Sequence, residues 1–175
     1  MNLDKRVTEK IDILNNIEIK ELNLIINDVP KPSKRPRMGK SSFYVPDASK
    51  NKKDIQKLIK DQIPEGFEKI YTDVEIEIDC YIATLNSFSK VDKELAELKY
   101  IRPSTKPDSD NFAKTYLDAL NGYLWDDDGQ VVDLHCRKYY SKNPRVEIHI
   151  KYKTDFTTCL FKNRKNKKKE NNNGD

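Results

Sequence analysis

The chain has 175 residues, of which 36% are hydrophobic and 35% charged, against a charged share of roughly 25% in globular proteins. Its 33 lysines and arginines outnumber its 29 aspartates and glutamates, which gives a net charge of +4. No stretch approaches the ~20 apolar residues that a membrane span needs, and the three cysteines lack the spacing of a zinc site or a disulfide framework. These features disfavour membrane insertion, secretion and a zinc fold, and they predict a cytoplasmic protein.

The N-terminal part of the chain is predicted to contain a helix, a strand and a basic loop. Val7, Ile11 and Leu14 recur at helical spacing, so an amphipathic helix is expected first. Residues 17–26 are rich in Ile and Leu, which is typical of a strand. Three prolines in residues 29–37 remove the hydrogen-bond donors that a strand needs. We therefore predict that this basic segment is a loop.

A second helix is predicted between Asp47 or Ser49, either of which can cap it, and Pro64, which ends it. Its apolar face is expected to contain Ile55, Leu58 and Ile59. Its opposite face contains Lys52, Lys53, Lys57 and Lys60. A solvated surface is the ordinary interpretation of such a lysine face.

The middle of the chain is predicted to contain one strand and two helices. Residues 74–82 alternate strictly between apolar and polar side chains, which indicates a half-buried strand. A short helix is predicted over residues 89–99, with an apolar face made of Val91, Leu95 and Leu98. Another helix is predicted over residues 110–120, because an Asn-Gly pair that can end it follows directly.

Two further strands are predicted near the C-terminus. Val132, Leu134 and Cys136 alternate with polar residues, so we expect a strand with these three side chains in the core. Residues 146–152 alternate in the same way, and residues 141–144 are predicted to join the two strands as a hairpin.

The order of these elements predicts an α+β fold, with one small mixed β-sheet and helices packed on one face or at its ends. We expect an N-terminal helical extension over residues 1–16 and a single main domain over residues 17–153. Residues 162–175 are rich in Lys and Asn and account for the whole net charge, so a basic disordered tail is expected there.

The charges in the body of the chain are strongly segregated. Residues 31–40 hold five positive charges and no negative one, whereas residues 108–133 hold seven aspartates opposed by Lys114 alone. A folded domain should not gather carboxylates in this way unless a cation or an exposed position relieves their repulsion. The pattern suggests that one place binds a polyanion and another binds a metal ion.

The aspartates at the start of the 110–120 helix have an ordinary structural interpretation. Asp108 and Asp110 suit a helix N-terminus because they cap it and complement its dipole. Asp110, Lys114 and Asp118 follow at intervals of four residues, so they share one helical stripe. Taken alone, the Asp110–Lys114 pair would be a surface ion pair of small value.

The acidic run at residues 126–128 makes a metal site the stronger interpretation. If the chain turns back after the helix, this run faces Asp108 and Asp110. Carboxylate oxygens suit Mg²⁺ or Mn²⁺, and phosphoryl transfer is the chemistry that most needs such ions. Lys114 would either stabilise charge on the phosphate or place the attacking water.

These residues resemble the signature of the RusA family of Holliday-junction resolvases. The matching segments are Lys106-Pro107-Asp108-Ser109-Asp110-Asn111, Lys114, Asp118-Ala119-Leu120-Asn121-Gly122 and Asp127-Asp128-Gly129-Gln130-Val131-Val132. The basic, proline-rich loop is similar to the segment that follows the first strand in that family. The resemblance implies a RusA-like fold and a homodimeric, Mg²⁺-dependent endonuclease that nicks four-way DNA junctions symmetrically in recombination and repair.

Carried over by position, the resemblance implies that Asp108, Asp110 and Asp128 are catalytic and hold Mg²⁺, for which Mn²⁺ could substitute. Lys114 falls on the family's important lysine. Asp128 is chosen over its two neighbours because one residue separates it from Gln130. The cations expected to bind DNA are Lys31, Lys34, Arg35, Arg37 and Lys40.

Two other functions are compatible with the composition. In a catalytically silent DNA-binding protein, the aspartates would be helix caps and solvated turns, but carboxylates near DNA repel phosphate unless a cation lies between them. A metal-dependent phosphohydrolase of small substrates would use the same carboxylates, but it would not need so broad a basic surface. A nuclease acting on junction DNA accounts for both charge clusters.

Overall fold

The computed structural model describes residues 4–39 and 43–154, without the side chain of Phe43. Lys40, predicted to bind DNA, and the tail predicted at residues 162–175 lie outside the described residues. No helix in the described ranges is both long enough and apolar enough to cross a membrane.

The described chain forms four α-helices, one four-stranded sheet and a separate two-stranded hairpin. The helices are α1 (Lys5–Asn15), α2 (Ala48–Ile59), α3 (Lys90–Glu97) and α4 (Ser109–Leu120). The strands are β1 (Ile19–Ile26), β2 (Arg37–Met38), β3 (Phe43–Tyr44), β4 (Val74–Ala83), β5 (Val131–Ser141) and β6 (Arg145–Lys153). The fold is therefore α+β, as the sequence predicts. The short β2–β3 pair, which begins at the end of the basic loop, was not predicted.

The four-stranded sheet has the order β1-β6-β4-β5. β6 pairs antiparallel with both β1 and β4, whereas β5 pairs parallel with β4. The predicted hairpin between β5 and β6 is therefore wrong, because β4 lies between them and residues 142–144 cross its end. Two strand spacings are about 9.6 Å, which three extended residues can span. A short connection that crosses the end of one strand and a hairpin turn between adjacent strands thus have the same local sequence pattern.

One face of the sheet packs against α2 and α4 and forms the core. Ile76 and Ile78 from β4 and Ile148 from β6 are at most 1% exposed in this layer. The largest buried aromatic side chains are Phe112, Tyr116 and Trp125. The opposite face of the sheet carries charged side chains such as Glu77 and Arg137, which form an ion pair of 2.6 Å.

Several side chains that the pattern predicts to be buried are exposed. Leu58 on α2 is 44% exposed, so the apolar face of this helix is narrower than predicted. Val132 is 64% exposed because it is the extra residue of a bulge in the β4–β5 pairing, and Leu134 on the same edge strand is 42% exposed. On α3 the core contact comes from Ala96 instead of the predicted apolar face, of which Val91 and Leu98 are more than half exposed.

We predict a sharp contrast in stability between the centre and the edge of the sheet. Ile78→Ala should lower the free energy of unfolding by about 2–5 kcal/mol, because it leaves a cavity at a fully buried position. Val132→Ala should change it by less than about 0.5 kcal/mol, because the side chain is largely solvated. Urea unfolding of both variants measures the difference. Equal losses would contradict the placement of Val132 in a bulge.

Candidate active site

Asp108 and Asp110 lie at the N-terminus of α4, where the sequence predicts them. Asp108 occupies the N-cap position with an extended backbone, but its side chain makes no capping hydrogen bond. The Asp110 carboxylate accepts one hydrogen bond, at 3.3 Å, from the neighbouring Asn111 side chain. Both aspartates are exposed. The capping interpretation therefore does not account for the Asp108 carboxylate.

Strand β5 fixes the backbone on both sides of Asp108. The Lys138 Nζ atom donates hydrogen bonds of 2.9 Å to the carbonyl oxygens of Thr105 and Pro107. The Cys136 thiol donates to the Ser109 carbonyl at 3.2 Å. These contacts hold the start of α4 against the edge strand. Sequence reasoning assigned Cys136 to the core and gave Lys138 no role, because both contacts are tertiary.

The basic loop docks on the first two turns of α4. The Ser33 N–H donates to the Asn111 carbonyl at 2.8 Å, and the Lys31 N–H donates to the Tyr116 hydroxyl at 3.1 Å. Tyr116 is buried, and this burial raises the pKa of its hydroxyl. The loop is thereby held on α4 by backbone contacts that do not use its own side chains.

The lysines of the loop are partly neutralised by neighbouring carboxylates. Lys31 pairs with Asp28 at 2.8 Å. Lys34 pairs with Asp47, whose carboxylate makes this contact instead of capping α2. Among the described residues, Arg35 and Arg37 form no salt bridge, and both are exposed. The predicted DNA contacts of the loop remain predictions, and the structure distinguishes its two arginines from its two lysines.

Gln130 determines the conformation of the acidic run. Its side chain is 5% exposed, and its carbonyl oxygen accepts hydrogen bonds from the Asp126 and Asp127 N–H groups at 3.0 and 3.1 Å. Its amide nitrogen donates to the carbonyl oxygens of Ile70 and Thr72 at 2.9 and 3.0 Å. One buried side chain thus ties the acidic run to the segment that leads into β4.

The three adjacent aspartates have different environments. The Asp127 carboxylate accepts a hydrogen bond of 2.7 Å from the Gly129 N–H and caps a short 3₁₀ turn. The Asp126 carboxylate lies 3.3 Å from the Lys69 Nζ atom. Within the described ranges, the Asp128 carboxylate makes no hydrogen bond or salt bridge, and it is exposed. Of the three, Asp128 therefore has the carboxylate that is not used to hold the turn.

The structure brings Asp128 close to the second half of the α4 stripe. Burial raises the pKa of the Asp118 carboxyl, and the negative charge of Asp128 raises it further. Lys114 and Lys52 act on the same carboxyl in the opposite direction. Lys52 also donates a hydrogen bond of 2.9 Å to the Asn121 carbonyl at the end of α4. Sequence reasoning left the role of Asp118 open and placed Lys52 on a solvated helix face.

A cleft of about 250 Å³, with a mixed polar and apolar lining, separates the basic loop from α2 and α4. Its lining includes Ser33, Lys34, Ser49, Lys52, Thr115 and Asp118. The cleft therefore runs from the loop cations to the Asp118 carboxylate, and it joins the positive and negative parts of the site.

The donor chemistry of the site suits a hard divalent cation. Mg²⁺ commonly binds through one or two carboxylates together with substrate phosphates and water, and Asp108, Asp110 and Asp128 supply exposed carboxylate oxygens. Across the part of the chain that the structure describes, no group of three or more His, Cys, Asp or Glu side chains is arranged to hold a metal ion by itself. Carboxylate oxygens therefore suit such an ion chemically, but within the described residues Asp108, Asp110 and Asp128 do not come together as the one three-carboxylate metal site that the sequence predicts.

Comparison with known proteins identifies the family. The profile of the family described as "Endodeoxyribonuclease RusA" matches residues 28–151. This chain belongs to the RusA family. The match includes the basic loop, α4, the acidic run and the sheet from β4 to β6, so it confirms the resemblance seen in the sequence. Nucleases of the RusA family generally depend on a divalent metal ion.

A related protein is known from Bacillus subtilis (strain 168), the "Uncharacterized protein YqaN". The two chains are 54% identical over 65 residues, which make up 37% of this chain and 46% of the relative. The matched part therefore spans less than half of the curated relative's length.

We predict that Asp118→Asn stabilises the protein at neutral pH. The raised pKa of Asp118 means that the folded state binds its proton more tightly than the unfolded state does. The resulting penalty is fully present above the folded pKa, and it disappears as the pH falls below the ordinary value of 3.8. Thermal unfolding at pH 7 and at lower pH should show a gain for the variant that shrinks with acidification.

The matched control is Asp133→Asn, which removes a carboxylate of β5 that lies beside His135. It should not reproduce the gain at neutral pH. An Asp118→Asn variant that is less stable than the wild type at pH 7 would contradict the raised pKa of Asp118.

Proposed function

We propose that this protein is a Mg²⁺-dependent endonuclease that resolves Holliday junctions by paired symmetric nicks in DNA recombination and repair, with Mn²⁺ as a possible substitute ion. The observation that carries the proposal is the Asp128 carboxylate, which has no hydrogen bond or salt bridge among the described residues and whose charge acts on Asp118 of the α4 stripe, while Asp127 caps the turn and Asp126 pairs with Lys69. Membership of the RusA family supports the same chemistry.

Asp108, Asp110 and Asp128 would hold the ion, which when bound lowers the pKa of a water molecule and stabilises negative charge on the phosphate. The protein's own groups perform the remaining tasks. Lys114 lies one helical turn from both Asp110 and Asp118, so its charge reduces their mutual repulsion and attracts a phosphate to the stripe. The basic loop, which is docked on α4 through the Ser33 N–H, would supply Arg35 and Arg37 to bind the DNA backbone.

A homodimer is part of the proposal because a four-way junction has two-fold symmetry. A C₂ dimer presents one site to each of two equivalent strands, so two nicks at matching positions follow from the geometry of the assembly. The expected cytoplasmic location likewise remains a prediction.

The experiment that tests the function is cleavage of a synthetic mobile four-way junction with Mg²⁺, with a linear duplex of the same sequence as control. The wild type should nick the junction and leave the duplex largely intact. Asp128→Asn and Asp110→Asn should each lose at least about 100-fold in rate, as when a group that stabilises the transition state is removed. Both variants should still bind the junction without metal.

Asp126→Asn is the matched control within the acidic run. It should retain near wild-type cleavage because its carboxylate pairs with Lys69. Asp127→Asn should fall between the two, since it weakens the cap of the turn. If Asp126→Asn were inactive and Asp128→Asn active, the assignment of Asp128 would be wrong. Junction binding by a wild type that never cuts would favour the silent DNA-binding protein.

The two arginines of the basic loop should contribute more to DNA binding than its two lysines. Arg35→Ala combined with Arg37→Ala should make the negative slope of log affinity against log salt shallower by about 1.8. This corresponds to about 0.9 for each lost phosphate contact. Lys31→Ala combined with Lys34→Ala removes the same charge, but these lysines already pair with Asp28 and Asp47.

Fluorescence anisotropy with junction DNA in EDTA measures both double variants across a salt titration. The lysine variant should show the smaller change in slope. Unchanged binding by the arginine variant would place the main DNA surface elsewhere, for which the lysine face of α2 is the next candidate.

A further inference from the structure

A pair of stacked tyrosines lies at one end of the sheet, on the face away from α2 and α4. Tyr81 of β4 and Tyr139 of β5 are direct neighbours in the parallel pairing. Their rings stack with centroids 5.3 Å apart and an interplanar angle of 28°. The two side chains are 6% and 9% exposed, so other groups cover them.

Three cations cover these rings. The Lys99 Nζ atom lies 4.5 Å from the Tyr139 centroid and donates a hydrogen bond of 3.3 Å to the Tyr81 hydroxyl. The Arg102 guanidinium carbon lies 4.6 Å from the Tyr139 centroid, and that of Arg145 lies 3.8 Å from the Tyr81 centroid. The aromatic faces attract each cation, and this attraction opposes the repulsion among the three charges.

The carboxylates near this cluster leave two of its cations without a salt-bridge partner among the described residues. Arg145 pairs with Glu147 at 2.7 Å. The Glu97 carboxylate accepts a hydrogen bond of 3.2 Å from the Ser141 hydroxyl and a second from the Lys142 N–H. In the part of the chain that the structure describes, Lys99 and Arg102 form no salt bridge.

Asp79 lies on the same face of β4, but it is occupied by another partner. Its carboxylate is 3.1 Å from Arg137. Arg102 makes its hydrogen bond, of 3.2 Å, to the carbonyl oxygen of Lys138. Lys99 and Arg102 are therefore ordered by aromatic rings, a hydroxyl and a carbonyl instead of by a salt bridge, and the negative charge of Asp79 acts on Lys99 only from beyond salt-bridge distance.

The cluster is connected to the candidate active site through one residue. Arg102 contacts the Lys138 carbonyl, and the Lys138 side chain binds the Thr105 and Pro107 carbonyl oxygens directly before Asp108. The connection from α3 to α4 thus contains both cations, Lys99 and Arg102, and it ends at Asp108 beside the edge strand β5.

We propose that Lys99 and Arg102 form a second binding site for the phosphodiester backbone of DNA, separate from the basic loop. This inference rests on the proposed function, since it assumes a DNA substrate. A cation that has no salt-bridge partner and is already ordered loses little further side-chain entropy when it binds a phosphate, and a guanidinium can donate two hydrogen bonds to phosphate oxygens.

The burial of Tyr81 and Tyr139 determines which part of DNA can bind. Bases stack only on accessible aromatic faces, and the faces of these rings are covered by cations. The site should therefore contact phosphates and not bases, and its contribution should be independent of DNA sequence.

The test is the double variant Lys99→Gln/Arg102→Gln, measured against Lys90→Gln/Lys93→Gln, which removes two equal charges from α3 away from the rings. Binding to a four-way junction is measured by fluorescence anisotropy in EDTA from 50 to 200 mM salt. Lys99→Gln/Arg102→Gln should bind the junction at least about tenfold more weakly at the lowest salt. Its negative slope of log affinity against log salt should be shallower than that of the wild type by about 1.8. The control should keep the wild-type slope. Arg102→Lys should also keep it, because the charge is retained.

Wild-type affinity and slope in Lys99→Gln/Arg102→Gln would overturn the proposal, whatever the cleavage assay shows. If the wild type binds the junction but never cuts it, and this variant still loses slope, the nuclease function fails and the second DNA site stands. A wild type that binds no DNA contradicts both proposals. Should the double variant fail to fold, Arg102→Gln alone is measured, with an expected loss of about 0.9 in slope.

Discussion

The geometry of the acidic run depends on the buried amide of Gln130. This side chain satisfies two N–H groups of the run and two carbonyl oxygens of the segment before β4. Loss of a buried partner of this kind leaves polar groups unsatisfied, at about 1–3 kcal/mol each, so the turn has little freedom to rearrange. Because Asp127 caps the same turn, the carboxylate that remains available is the one at Asp128. The local hydrogen bonds therefore give three chemically identical aspartate side chains different environments.

Helix α4 is the element on which the separate parts of the site converge. The basic loop binds its first two turns through backbone groups, and β5 holds the segment on either side of Asp108. At the other end, Lys52 of α2 donates to the Asn121 carbonyl. The stripe of Asp110, Lys114 and Asp118 is thus fixed along its length. Its charges lie on a rigid helix, which favours precise placement of a phosphate.

The sequence predicts the features that depend on local periodicity, and it does not predict those that depend on tertiary contacts. The helical period places Lys114 between two aspartates without any structure, and strict alternation identifies β4. The same alternation fails on β5, because a bulge exposes Val132 and an edge position exposes Leu134. The local pattern at residues 142–144 cannot show that β4 lies between the strands that they join. The proximity of Asp118 and Asp128 depends on how the chain returns after α4, which no spacing rule specifies.

The electrostatics of the described site oppose the gathering of carboxylates near Asp118. Burial raises the pKa of Asp118, and the negative charge of Asp128 raises it further, so bringing more negative charge to this point is unfavourable in the protein alone. Asp108 and Asp128 remain solvated, and solvation offsets the cost of their charge. A divalent cation bound together with a DNA phosphate would change this balance. The cation would offset both the repulsion among the carboxylates and the repulsion between the carboxylates and the phosphate. Binding of metal and binding of substrate should therefore favour each other, as reciprocal coupling requires.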